Sequence, residues 1–149
     1  MAPEKTYSQY EIIAIIKQID QENFILANAV LMVYFAGFHK NEIENIKIKN
    51  AFRNKTVLSR VEPFLNKSRK TFTTMPIFLD HWPRLILTRH IKKLERQGYL
   101  IDDEAYIFPD PKTKNRYGTK KLYRNFNIYF EKIDFDGLRK LGIEREGAS

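Results

Sequence analysis

Cysteine is absent from the 149 residues, which excludes a disulfide framework and a thiolate metal site. Histidine is scarce. The three present, His39, His81 and His90, lack the paired spacing that a zinc site needs, so neither a metal nor any other cofactor is expected. No apolar run is long: residues 24–36 form the main one, about a dozen residues where a bilayer requires roughly 20. The chain opens Met1-Ala2-Pro3-Glu4-Lys5 with no apolar stretch behind it, unlike a secretory signal. A cytoplasmic protein with no membrane partner is therefore expected, and nothing in the sequence marks a small-molecule substrate.

Acidic residues are also in deficit, 18 against 26 Lys and Arg, for a net charge of +8. The excess is clustered. Residues 47–70 hold eight cations against Glu62 alone, and residues 112–124 hold six cations and no acid. The remainder of the chain is mildly acidic. Two basic segments interleaved with Tyr and Phe form the electrostatic footprint of a nucleic-acid binder, where solvated lysine-rich loops are the plainer alternative. The length suits one domain spanning residues 1–149 with a substantial core.

The rest of the chain is organised around residues 24–48. Residues 24–36 are apolar apart from Asn28 and the Tyr34 hydroxyl, the composition of a helix buried on all sides. Gly37 interrupts the run, and an amphipathic helix over residues 42–49 follows, with Asn41 as its expected cap. Before the buried helix, Ser8 and Glu11 form a capping box for a helix over residues 9–20 carrying Ile12, Ile13, Ile15, Ile16 and Ile19. Residues 56–61 and 72–77, rich in Thr, Val and Phe, read as strands of a small antiparallel sheet. Asp80 is expected to cap a helix with Pro83 in its first turn, Leu87, Ile91 and Leu94 on its buried stripe and Gly98 at its close. His81 and His90 are expected at the surface or partly packed. Thr119 is expected to cap a last basic helix through Leu122, Phe126, Tyr129 and Phe130. Lys120, Lys121 and Arg124 in its first turns oppose the helix dipole, which favours a phosphate partner.

Ala36-Gly37-Phe38-His39-Lys40-Asn41-Glu42-Ile43-Glu44-Asn45-Ile46-Lys47 resembles the T-G-[LM]-R-x-x-E-[IL]-x-x-L-[KR] motif of the tyrosine recombinases (phage integrases). His39 stands where that family has its phosphate-activating Arg. The stretch from Asn66 through Lys67, Ser68, Arg69 and Lys70 to Met75-Pro76-Ile77 resembles the family's hairpin, whose Lys matches Lys67, with Lys70 as the alternative. Tyr106-Ile107-Phe108-Pro109 resembles its L-F-P segment. Asp136-Gly137-Leu138-Arg139-Lys140-Leu141 resembles its H-x-L-R-H-[TS] box, with Arg139 at the second catalytic Arg and with Asp136 and Lys140 at the two His positions. No Tyr follows Tyr129 to match the nucleophile, as in a domain truncated at its C-terminus.

The resemblance covers nearly the whole chain. It implies a mostly helical α+β fold like the recombinase catalytic domain, with a small antiparallel sheet. Cleavage by this family requires a Tyr nucleophile and Arg residues that neutralise charge at phosphorus. His39 cannot offer Arg's bidentate fork, and Asp136 repels phosphate. The expectation is therefore a double-stranded DNA binder without strand cleavage, a phage or mobile-element regulator or accessory factor that could assemble as a homo-oligomer on DNA. His39, Lys40, Lys67, Arg69, Lys70, Lys112, Lys114, Arg116, Lys120, Lys121, Arg124 and Arg139 are its candidate contacts, with Arg124 and Asn125 able to reach base edges. Two other readings stand beside it. One is a fragment of an active integrase whose Tyr lies outside this chain, and the other is a protein–protein module for an acidic partner.

Overall fold

The computed structural model of the chain describes residues 6–51 and 81–147. These residues form seven helices: α1 (Gln9–Glu22), α2 (Phe24–Ala36), α3 (Lys40–Asn45), α4 (Ile48–Ala51), α5 (His81–Arg96), α6 (Thr119–Tyr129) and α7 (Phe135–Gly147).

Helix α1 begins where its capping box dictates. The Ser8 hydroxyl accepts from the Glu11 N–H at 3.1 Å, and the Glu11 carboxylate accepts from the Ser8 N–H at 2.9 Å. Ile12, Ile16 and Ile19 recur on one face and bury it against α2. Asn23 ends α1 and starts α2, its side-chain oxygen accepting from the Leu26 N–H at 3.1 Å. Helix α2 is the hub of the molecule, packed against α1, α5, α6 and α7. Ile25, Leu26, Val30, Met32 and Val33 are fully buried along it. Each such side chain removed from water is worth about 1.5–3 kcal/mol, which outweighs the modest helix propensity of the β-branched members.

The one amide side chain within α2 has a matched partner. Asn28 donates to Nδ1 of His90 at 2.8 Å, and Nε2 of His90 donates to the Ile107 carbonyl. His90 is accordingly buried, 1% exposed, and not at the surface as its polarity suggested. Burial pushes its imidazole down to about 4, against a raising effect of the Ile107 bond and helped by the nearby Lys93 charge. The ring is neutral at physiological pH. This triad joins α2, α5 and the 99–118 connection in one polar link through an apolar core.

Gly37 closes α2 in the left-handed region, φ 73°, and the Phe38 N–H returns to the Met32 carbonyl. A Cβ here would meet nothing, so the glycine answers to backbone conformation alone. The following helix departs from expectation twice. It starts at Lys40, with His39 and not Asn41 in the capping position, and the Glu42 carboxylate accepts from the His39 N–H. It also breaks at Ile46-Lys47 into α3 and α4. The cause is a neighbouring chain segment: Ile107 donates to the Ile46 carbonyl, Ile48 to Ala105 and Lys49 to Asp103, bonds that a continuous helix could not offer.

The small antiparallel sheet expected from the sequence is corrected by the structure. The protein is helical, and no strand occurs among the described residues. Extended pairing there is limited to two isolated antiparallel bridges, Lys47 with Tyr106 and Pro109 with Arg116. The segments assigned to strands, 56–61 and 72–77, lie outside the described residues, as does the expected cap Asp80.

Helix α5 ends as expected, with Gly98 at φ 90° and the Tyr99 N–H on the Leu94 carbonyl. At α6 the cap is Gly118, not Thr119, whose hydroxyl is drawn instead to the Glu44 carboxylate. Phe126, Phe130 and Phe135 stack together, with Tyr7 and Tyr123 edge-on to the group. Helix α7 crosses α2 so closely at Gly142 that a Cβ there would lie 1.9 Å from the Tyr34 carbonyl oxygen. Arg145 then reaches over α2 to the Tyr34 hydroxyl and the Tyr7 carbonyl.

Candidate nucleic-acid interface

The α2–α3 bend, α6 and the start of α7 meet around a shallow depression of about 130 Å³, lined by His39, Lys40, Asn41, Tyr123, Asp136 and Arg139. The bend delivers the first three because Gly37 reverses the chain. Arg139 is anchored there: its Nε donates at 2.9 Å to the carbonyl of Gly37, 102 residues earlier. That bond uses Nε and leaves the terminal guanidinium nitrogens without a hydrogen-bond partner among the described residues. Lys40 lies over the Tyr123 ring, 5.2 Å from its centre, and pairs with Glu44 at 3.2 Å. Asp136 pairs with Lys140 at 3.1 Å on the exposed first turn of α7.

Glu44, a carboxylate 1% exposed, is linked to the depression through Lys40. It receives Lys40, the Thr119 hydroxyl and, at 3.6 Å, the guanidinium of Arg116. Arg116 also donates from Nε to Asn45 Oδ1 at 3.1 Å. A buried carboxylate is tolerable when its oxygens are met by charged donors. Here those donors tie the 110–118 connection and the start of α6 onto α3.

A second buried acid, Asp110, shapes the basic connection itself. It accepts from the backbone N–H groups of Lys112 at 2.8 Å and Thr113 at 3.3 Å, and it pairs with Lys121 at 2.8 Å. Burial alone would raise its carboxyl, but the Lys121 ammonium and the two N–H donors win and hold it below the usual range. Lys114 lies 5.1 Å from the Tyr99 ring centre, in the left-handed region at φ 64°.

The twelve candidate contacts thus separate into groups. His39, Lys40 and Arg139 come together at the depression. Lys40, Arg116 and Lys121 are held by internal carboxylates, and Lys114 is laid on an aromatic ring. Lys112, Lys120 and Arg124 are exposed and have no ion-pair partner among the described residues. Lys67, Arg69 and Lys70 lie outside those residues. Asn125, expected to reach base edges, points inward and donates to the hydroxyl of the buried Tyr117, which also accepts from Asn23 at 3.3 Å.

Sequence reasoning passed over Glu44, Asp110 and Tyr123. Asp110 had a legible signal, since Asp followed by Lys-Thr two and three residues on is the pattern of an Asx turn. Glu44 had none, because its burial depends on Arg116 and Thr119 arriving from more than 70 residues away.

No helix among the described residues is long and apolar enough to cross a membrane. No group of three His, Asp or Glu among them could hold a metal ion. Comparisons with protein-family models, curated proteins and solved structures returned no match to this chain.

Proposed function

We propose that this chain binds double-stranded DNA through α6, the 110–118 connection and the depression at the α2–α3 bend, and does not cut it. The observation that carries the reading is the meeting of His39 and Lys40 with Asp136 and Arg139 in one depression. His39, Asp136 and Arg139 are positions that the recombinase resemblance assigns to a shared phosphate site, with Lys40 a neighbouring charge, and the two segments lie far apart in sequence. Arg139 is held by its Nε, and its remaining donors have no partner among the described residues, which leaves them available to a phosphate oxygen. Lys112, Lys120 and Arg124 add cations without internal partners along the adjoining surface.

The chemistry of the depression argues against cleavage. Its one phenol is Tyr123, and burial followed by the charges of Asp134, Glu44 and Asp136 raises its pKa above the ordinary value. A nucleophile needs the reverse, a base or cations that stabilise the phenolate. Asp136 also places negative charge where charge would have to be neutralised. A role as a regulator or accessory factor of a phage or mobile element follows from the resemblance, with the DNA as its partner.

Fluorescence anisotropy with a labelled duplex across a salt series tests the reading. Log K should fall linearly with log salt, with a slope on the order of −3 to −5 for the cations named, at about 0.9 per phosphate neutralised. A suicide duplex should give no covalent adduct. Absence of binding at low salt would refute DNA binding, and a covalent adduct would refute the non-cleaving site.

A further inference from the structure

The solvent face of α6 carries an arrangement that phosphate binding does not use. Successive residues advance about 100° around a helix. Lys120, Arg124, Asn127 and Ile128 therefore fall within an arc of about 100°, and all four are exposed. Leu122 and Phe126, fully buried, lie on the opposite side and seat the helix on the core. Ile128 is 68% exposed, among the most exposed large apolar side chains of the described residues. It stands directly beyond two polar side chains that have no hydrogen-bond partner among the described residues. An isoleucine gains nothing from a phosphate, so the stripe changes character along the helix, from cation to amide to hydrocarbon.

We propose that this stripe reads base sequence in the major groove, with Arg124 and Asn127 on base edges and Ile128 against a thymine methyl. The inference rests on the DNA-binding reading above and adds sequence specificity to it. The major groove offers those three features in its own chemistry: paired acceptors on guanine, a donor–acceptor pair on adenine and an apolar methyl on thymine. Lys120, one turn earlier, lies where the helix meets the backbone and contributes charge without sequence information. From Lys120 to Ile128 the helix rises about 12 Å, the span of three to four base pairs at about 3.4 Å each. Rigidity comes from below, since Lys121 is paired with Asp110, Asn125 is bonded to Tyr117 and the Tyr129 hydroxyl donates to Glu22. Three inward anchors fix the rotation of α6, so the outward stripe is held in one register.

Selection of duplexes from a random library by the full chain, followed by anisotropy on the winning site, tests this. The expected result is an enriched block of about three to four base pairs. Arg124→Ala should lose discrimination at one guanine by about tenfold or more. Replacing the contacted thymine by deoxyuracil should weaken the wild-type chain about fourfold, the worth of one buried methyl, and leave Ile128→Ala unaffected. Lys120→Ala should weaken all duplexes alike and reduce the salt slope by about one. All three side chains are exposed, and unchanged melting temperatures will show that the variants fold. Salt-dependent binding with no enriched sequence overturns the inference and leaves the DNA-binding reading standing. So does a deoxyuracil penalty that persists in Ile128→Ala. Loss of self-association in Ile128→Ala, with DNA selection intact, would assign the apolar residue to a protein contact and also overturn it. No binding to any duplex overturns both.

Discussion

Protonation of His90 should govern the acid limb of this protein's stability. The imidazole is buried against α2, tilted on the rings of Phe24 and Phe108, donates to Ile107 and accepts from Asn28. Its folded pKa is about 4, where an unfolded chain has about 6.5. Between those values the unfolded state binds the proton and the native state does not. Stability therefore rises with pH across the window and is fully present above 6.5. Each pH unit inside it is worth about 1.4 kcal/mol, so acidification from pH 7 to pH 4 should cost roughly 3 kcal/mol from this group. That is a large part of the 5–15 kcal/mol total typical of a domain. Urea unfolding followed by circular dichroism at pH 4.5, 5.5, 6.5 and 7.5 gives the slope. Carboxylates contribute near the lower end, so the informative quantity is the difference from His90→Gln, which keeps a donor for Ile107 and cannot titrate. The variant will be less stable at pH 7.5, and its curve should converge on the wild type as pH falls. Parallel curves would refute the burial and the neutral ring together.

Other perturbations follow from the same packing. Gly142→Ala gains about 1 kcal/mol of helix propensity but drives a methyl into the Tyr34 carbonyl, so α7 must shift. A net loss of about 1–3 kcal/mol is expected in thermal melts, and a stabilised variant would show the crossing to be looser. Asp110→Asn removes the Lys121 ion pair and weakens the acceptor for the Lys112 and Thr113 N–H groups. It should cost about 1.5–3 kcal/mol and speed amide exchange at those two residues, whereas unchanged exchange would count against the turn. Gly37→Ala should cost about 1 kcal/mol through its left-handed backbone and also weaken duplex binding, because the Gly37 carbonyl positions Arg139. Unaltered DNA affinity in a folded variant would remove Arg139 from the interface.

Much of the architecture was legible because it depends on neighbours in sequence. The capping box at Ser8 and Glu11, the apolar α2, the breaks at Gly37 and Gly98 and the stripe of Leu87 and Leu94, though not Ile91, which is only half-buried, are each set within a few residues. Propensity, periodicity and capping operate at that range. Of the positions meeting at the depression, His39, Asp136 and Arg139 were named through motif likeness and not through any local rule, whereas Tyr123 was not named. The sheet was the main error. Val, Thr and Phe alternation over short segments is weak evidence for strands when pairing partners are unknown, since β preference depends on context.

What the sequence determined by itself was most of the helical segments, the capping box at Ser8 and Glu11, the glycine closures at Gly37 and Gly98, the central position of α2 and the clustering of positive charge. Only the tertiary structure decided which polar residues are internal. His90 and Asn28 satisfy each other because α5 packs on α2, and Glu44 is buried because Arg116 and Thr119 close over it. The same distant contacts separate the cations, tying Lys40, Arg116 and Lys121 to carboxylates while Lys120 and Arg124 remain on the open face of α6. The physical reason is range. Helix formation is settled by residues within one or two turns, but a charge or hydrogen bond is satisfied by whatever the fold brings within about 3 Å, and that partner can be a hundred residues away.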